Sequence, residues 1–178
     1  TYNLLDNLLH WALLQTKQSY FEITTIRLYH CVEQMVYNYR PLMLEKNLVF
    51  ENTISKSDIV WADQESLKII LRNFIDNAIK FSKENGIIKM YTQNTDEKYC
   101  TLLIEDNGIG MSTALQTALL QETRLLSKTD NEAIAGTGLG MQLCKSLLQK
   151  NGGKLDLKSE VGKGTKIIVS LIKKQPNG

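Results

Sequence analysis

The stretch that most constrains this chain runs from Asn73 to Ser82, reading Asn-Phe-Ile-Asp-Asn-Ala-Ile-Lys-Phe-Ser. Asn73, Asn77 and Lys80 recur at helical spacing and stack along one face of a helix. Leu67, Ile70, Leu71, Phe74, Ile75 and Ala78 fill its other faces. A solvated face usually carries Lys and Glu rather than two aligned carboxamides among buried neighbours. Two readings stay open from this helix alone. One is an Asn-rich surface; the other is a site where amide oxygens hold a hard cation and Lys80 neutralises phosphate charge.

The chain around this helix reads as one globular domain of 178 residues, 43% hydrophobic and 22% charged. A formal charge of +2 argues for neither nucleic acid nor an anionic membrane surface as partner. No apolar run approaches the ~20 residues of a membrane span, and no signal-peptide pattern opens the sequence. Cys31, Cys100 and Cys144 are widely spaced and sit in apolar contexts, so they read as buried free thiols of a reducing cytoplasm. Cys and His show no metal-ligand spacing.

Residues 1–19 read as an amphipathic helix on the seam Leu4, Leu8, Trp11, Gln15. Residues 21–26 alternate as a strand. A helical period follows through Leu28, Val32, Met35, Val36 and Tyr39, with a break expected near Pro41. Residues 49–54 and 59–61 read as a hairpin-like pair of strands around a polar turn. Asp63 is placed to cap the central helix, which runs to about Lys83 and stops at Asn85-Gly86. Strands are expected over 87–94 and 99–105, a long stretch of low order from Asp106 to Gly140, a helix over 141–150, and two final strands over 154–159 and 165–172.

Three glycine clusters bear on the chemistry. Asp106-Asn107-Gly108-Ile109-Gly110 follows an apolar strand: glycines admit a flat ligand, and a carboxylate at a strand end accepts from an amino group, although the same residues also spell a plain turn. Gly136-Thr137-Gly138-Leu139-Gly140 opens a helix whose N-terminal N–H groups suit phosphates. It is neither a Walker A loop nor a dinucleotide fingerprint. Gly162-Lys163-Gly164-Thr165 reads on its own as a hairpin turn.

Taken in order, the Asn helix, Asp-x-Gly-x-Gly, Gly-Thr-Gly-Leu-Gly and Gly-x-Gly-Thr resemble the Bergerat-fold ATP-binding family over roughly residues 21–172. That family includes DNA gyrase, the ninety-kilodalton heat-shock chaperone, mismatch-repair ATPases and the catalytic domains of sensor histidine kinases. The resemblance implies an α+β fold, a two-layer sandwich in which a mixed sheet carries helices on one face, preceded by a helical stub. It implies ATP and Mg²⁺ as ligands, with Asn77 on the metal and Asn73 beside it at the phosphates. Lys80 would reach the phosphate chain and Phe81 would lie against the nucleoside. Asp106 would accept the adenine amino group, with Gly108 and Gly110 allowing the base to approach. Gly136, Thr137, Gly138, Leu139 and Gly140 would flank the triphosphate, Lys128 and Arg124 would face it from the lid, and Thr165 would support the adenine end. The lid itself would span Asp106 to Gly140.

Within the family, hydrolysing members place a Glu four residues before the metal Asn, as base for the attacking water. Here that position is Asn73, which takes no proton, and this suits an enzyme whose nucleophile is a protein imidazole. The wording Asn-x-x-x-Asn-Ala-x-Lys-Phe-Ser most resembles histidine kinases, so Asn73 and Lys80 become the catalytic candidates. Residues 1–19 then resemble the end of a dimerisation hairpin, 20–173 an ATP-binding catalytic domain, and 174–178 a flexible tail. The implied partners are that dimerisation domain and a response-regulator receiver domain, in a homodimer placed in the cytoplasm as part of a membrane-anchored sensor. This fragment itself is expected to touch neither nucleic acid nor membrane. The sequence departs from the family's pattern twice. No Phe lies between Asp106 and Gly140, where Leu115, Leu119, Leu120, Leu125 and Leu126 stand ready to take over its packing. Neither His10 nor His30 has the neighbours of a phosphoacceptor, so the chain alone is expected to bind ATP without phosphorylating itself. An ATP-hydrolysing machine and a degenerate nucleotide-sensing or interaction module are the two alternatives.

Overall fold

Burial follows the strand period where the core lies. Cys100, Leu102, Ile104 and Asp106 turn inward from the strand Tyr99–Asp106, and Ile167, Val169 and Leu171 do the same opposite them. The computed structural model describes residues 21–93, 97–121 and 139–173. In chain order these form β1 (Ile23–Arg27), α1 (Leu28–Tyr37), α2 (Arg40–Glu45), β2 (Val49–Asn52), β3 (Ile59–Asp63), α3 (Gln64–Phe81), β4 (Ile87–Gln93), β5 (Tyr99–Asp106), α4 (Thr113–Leu120), α5 (Leu139–Lys150), β6 (Lys154–Glu160) and β7 (Gly164–Ile172).

The strands make one seven-stranded mixed sheet in the order β1-β3-β7-β5-β4-β2, with β6 paired to β7 as well. All pairings are antiparallel except β2 with β4. α3 packs against α1 and α5 and lies over β1, β3 and β5. Leu67, Ile70, Leu71, Phe74, Ile75, Ala78 and Ile79 are buried along it, and each large apolar side chain so placed contributes about 1.5–3 kcal/mol. The opposite face of the sheet carries a row of alternating charge, Glu51, Lys89, Glu105 and Lys166, in register across β2, β4, β5 and β7. Lys89 reaches Glu51 and Lys166 reaches Glu105, each at 3.1 Å. The α+β two-layer architecture with helices on one face is as the sequence reading has it.

The central helix is capped as expected. Asp63 Oδ2 accepts from the Ser66 N–H at 2.8 Å and from its hydroxyl at 2.7 Å. Asp63 also joins distant segments: its Oδ1 accepts from the Glu22 N–H, and its own N–H donates to Asn151 Oδ1 at 2.7 Å.

The break expected near Pro41 falls at Asn38–Tyr39, and Pro41 itself sits in the first turn of α2, where no N–H is required. Two expectations need correction. Residues 49–54 and 59–61 are strands but not a hairpin: β2 pairs with β4 and β3 with β1, at opposite sides of the sheet. The polar link between them is tied down at both ends: Ile54 is buried, and Asp58 accepts from the Thr92 hydroxyl on β4 with its carboxylate and from the Leu28 N–H on α1 with its carbonyl. The segment from Asp106 to Gly140 is not without order throughout, since α4 lies inside it. The stub 1–19 and the tail 174–178 fall outside the described residues. Cys100 and Cys144 are buried free thiols, whereas Cys31 is half-buried.

Candidate active site

α3 ends at Phe81 and the chain turns extended at Ser82. From Phe81 back to Asn73 the helix rises about 12 Å, at ~1.5 Å per residue. Asn77 and Lys80 are exposed on it, while Asn73 is half-buried with its Nδ2 donating to the Ile69 carbonyl at 3.0 Å. The Lys80 ammonium lies 4.9 Å from the centre of the Phe81 ring. The carbonyls that end the helix are gathered by a side chain the motif reading did not single out. Lys46 Nζ donates to Ile79 O at 2.8 Å, Lys80 O at 3.0 Å and Ser82 O at 3.4 Å. A cation there complements both the orphan carbonyls and the helix dipole.

Asp106 ends β5 directly opposite Thr165 on β7. It is only 9% exposed, and its carboxylate accepts from the Gly108 N–H at 2.8 Å, with the Thr165 N–H also favouring its ionised form. Burial pushes this carboxyl above its ordinary range; the two N–H groups oppose the shift and the neighbouring Glu105 charge adds to it. The loop after Asp106 is fixed on both sides. Ile109 donates to Phe81 O at 3.1 Å, and Gly162 donates to Ile109 O at 2.7 Å. The two glycines have a demonstrable cause here. A Cβ on Gly108 would stand 2.3 Å from Phe81 O, and one on Gly110, at φ +66°, would stand 1.9 Å from Glu160 O.

The structure thus brings Phe81, Asp106, Gly108, Gly110 and Thr165 together, with Lys80, Asn77 and Asn73 receding along α3. Leu139 and Gly140, the last two residues of the second glycine cluster, begin α5. Lys128, Gly136, Thr137 and Gly138 lie outside the described residues, as do Arg124, Leu125, Leu126 and His10. His30 is exposed on α1 and stands edge-on to Tyr29. Leu119 and Leu120, at the end of α4, pack on the core, and their carbonyls accept from Gln142 and Lys145 of α5.

Among the described residues no three His, Cys, Asp or Glu side chains gather into a metal cage. Mg²⁺ fits the donors that are present in another manner, since it keeps several waters and takes one or two protein oxygens together with substrate phosphates. The exposed Asn77 carboxamide is such an oxygen.

The family described as histidine kinase-, DNA gyrase B-, and HSP90-like ATPase matches residues 62–175, and the chain belongs to it. It is homologous to histidine protein kinases: histidine protein kinase SaeS of Staphylococcus aureus is 29% identical over 172 residues, covering 96% of this chain and 49% of that protein. The chain thus spans about half the length of the curated relatives it matches. The catalytic domain of histidine kinase ThkA, nucleotide-free, superposes with a TM-score of 0.72 at 22% identity, covering 86% of this chain and 99% of that one. ThkA bound to response regulator protein TrrA gives 0.74 at 20%, covering 96% and 47%. Full-length ShkA in complex with AMPPNP gives 0.79 at 22%, covering 97% and 36%. These likenesses establish the fold.

Proposed function

We propose that the chain is the ATP-binding catalytic domain of a two-component sensor histidine kinase. It would transfer the ATP γ-phosphate to a histidine on a dimerisation domain of which residues 1–19 are the end. The observation that carries this reading is the Asp106 carboxylate, buried and oriented by two N–H groups beside the end of α3. Adenine donates its amino group there, Thr165 supports that end, and Phe81 covers the nucleoside. The triphosphate then runs back along α3, past Lys80 towards Asn77 and Asn73, with Gly136, Thr137, Gly138, Leu139 and Gly140 assigned to it as further contacts. Mg²⁺, when bound at Asn77, offsets phosphate charge. The acceptor imidazole attacks the γ-phosphorus in line, the bond to the β,γ-bridging oxygen breaks, and ADP leaves. Asn73 activates no water in this scheme. ShkA, solved with AMPPNP, and ThkA, solved with its response regulator, support ATP as substrate and a receiver domain as onward partner. A homodimeric parent, anchored in the membrane with this domain in the cytoplasm, completes the proposal; among the described residues no helix is long and apolar enough to cross a membrane.

The test is phosphotransfer in trans. The chain mixed with labelled ATP, Mg²⁺ and a separate hairpin bearing an acceptor histidine should place acid-labile phosphate on the hairpin and none on itself. Label on the chain alone, or free phosphate released at the rate of transfer, would overturn the proposal.

A further inference from the structure

A chain of polar contacts runs from α4 to the Asp106 carboxylate. Gln116 lies on α4 and meets the backbone of Ser159 on β6 twice: its Nε2 donates to Ser159 O at 2.7 Å, and its Oε1 accepts from Ser159 N at 2.9 Å. The same Nε2 lies 3.2 Å from Met111 O. One side-chain amide thereby occupies the outward backbone groups of an edge residue, as a neighbouring strand would. The Ser159 hydroxyl continues inward. It accepts from the Met111 N–H at 2.8 Å, donates to Gly164 O at 2.7 Å and lies 3.0 Å from the Thr165 hydroxyl. Thr165 is the cross-strand partner of Asp106, and its N–H favours the ionised form of the Asp106 carboxyl.

We propose that Gln116 is a positioning residue, which fixes the root of the lid segment to β6 and, through Ser159 and Thr165, holds Asp106 in the orientation that reads the six-amino group of a purine nucleotide. The proposal rests on the assignment of Asp106 to adenine made above. Gln116 touches no ligand in this account. Both ends of the described lid root are anchored, one by Gln116 on β6 and the other by Gln142 and Lys145 of α5 on the Leu119 and Leu120 carbonyls. Where α4 sits and how Asp106 is aimed are therefore set by the same set of bonds, and loosening Gln116 costs discrimination as well as affinity.

The test compares Mg-ATP with Mg-ITP, whose six-oxo group has no amino hydrogen to give Asp106. Both are titrated into the full chain and into Gln116→Leu, which keeps helix propensity while losing all three side-chain hydrogen bonds. Gln116→Leu should weaken ATP binding about five- to tenfold, the worth of one or two hydrogen bonds, and leave ITP binding nearly unchanged. Ser159→Ala should follow it and Ser159→Thr should not, which keeps the question answerable if Gln116→Leu folds poorly. In the Asp106→Asn background, Gln116→Leu should have no further effect on ATP. Equal losses for ATP and ITP, or no loss for either, would overturn the positioning role while leaving the ATP site standing. An unchanged ATP affinity in Asp106→Asn alone would instead overturn the adenine assignment, and this proposal with it.

Discussion

Replacing Lys46 tests whether the end of α3 is held by one side chain. In Lys46→Met the half-buried aliphatic stem is largely kept, and three contacts to the carbonyls of Ile79, Lys80 and Ser82 are lost. The contacts at 2.8 and 3.0 Å are good hydrogen bonds; the one at 3.4 Å is at the limit and adds little. Hydrogen bonds to a charged group contribute about 1.5–3 kcal/mol, and a cation at a helix C-terminus about 0.3–1 kcal/mol. The two figures describe partly the same electrostatics, and one contact is exposed, so a loss of about 2 kcal/mol is expected. For a domain of this size that lowers Tm by roughly 4–8 °C. Lys80 and Phe81 ride on the released turn, so binding of an ATP analogue should weaken severalfold at temperatures where the variant is fully folded. Thermal melting and a nucleotide titration read the two effects separately. Lys46→Arg, which keeps charge and donors, should lie between Met and the parent. A Lys46→Met chain that melts within about 1 °C of the parent and binds nucleotide equally well would refute the reasoning.

Asp106 sets the pH dependence. Its carboxyl is raised by burial, and the adenine amino group favours the ionised form, so ATP affinity should be full above that raised value and fall as pH drops through it. The fold itself has the opposite sign: a carboxyl raised on folding stabilises below its unfolded pKa, a contribution lost as pH rises through the folded one. Asp106→Asn should therefore bind ATP weakly with a flat pH profile, yet melt no lower than the parent at neutral pH without nucleotide. Gly110→Ala puts a methyl 1.9 Å from Glu160 O at a left-handed backbone position, and urea denaturation should show a loss above about 2 kcal/mol. Asn77→Ala, on an exposed site, should leave stability within about 0.5 kcal/mol while removing most of the Mg²⁺ dependence of ATP binding.

What the sequence made legible was local. Asp63 as cap, the apolar faces of α3 and the alternation of β4 and β5 all follow from residues within one or two turns of each other, and each is observed. The candidate site was legible because its glycines and its Asp are clustered in short runs. Pairing partners were not, since nothing in a four-residue strand such as β2 states whether its neighbour is the next strand or one beyond it. The charge row Glu51, Lys89, Glu105, Lys166 becomes visible only once register is known. Lys46 was missed because the carbonyls it holds lie 33–36 residues away and belong to the backbone, which has no sequence signature. Gln116 was missed for the same reason, its partner Ser159 being 43 residues distant. α4 was missed because its face is only half-buried and offers a weak helical period.

The two glycines after Asp106 first suggested room for a flat ligand, and the structure assigns their missing side chains a different cause. Backbone from elsewhere in the chain occupies that space: Phe81 O beside Gly108 and Glu160 O beside Gly110. With the bonds Ile109 to Phe81 and Gly162 to Ile109, this close packing locks the end of α3, the loop and the β6–β7 turn into one unit. Lys83 adds a further tie at its exposed edge, donating to Gly162 O at 3.2 Å. The distance from the Asp106 carboxylate to Lys80 is consequently a property of the backbone and need not be established by a ligand on arrival. A site ordered in advance spends less binding energy on its own organisation, which leaves more for aligning the reacting groups. It also explains why a substitution at Gly110, whose methyl would meet protein rather than nucleotide, should lose stability before it loses specificity.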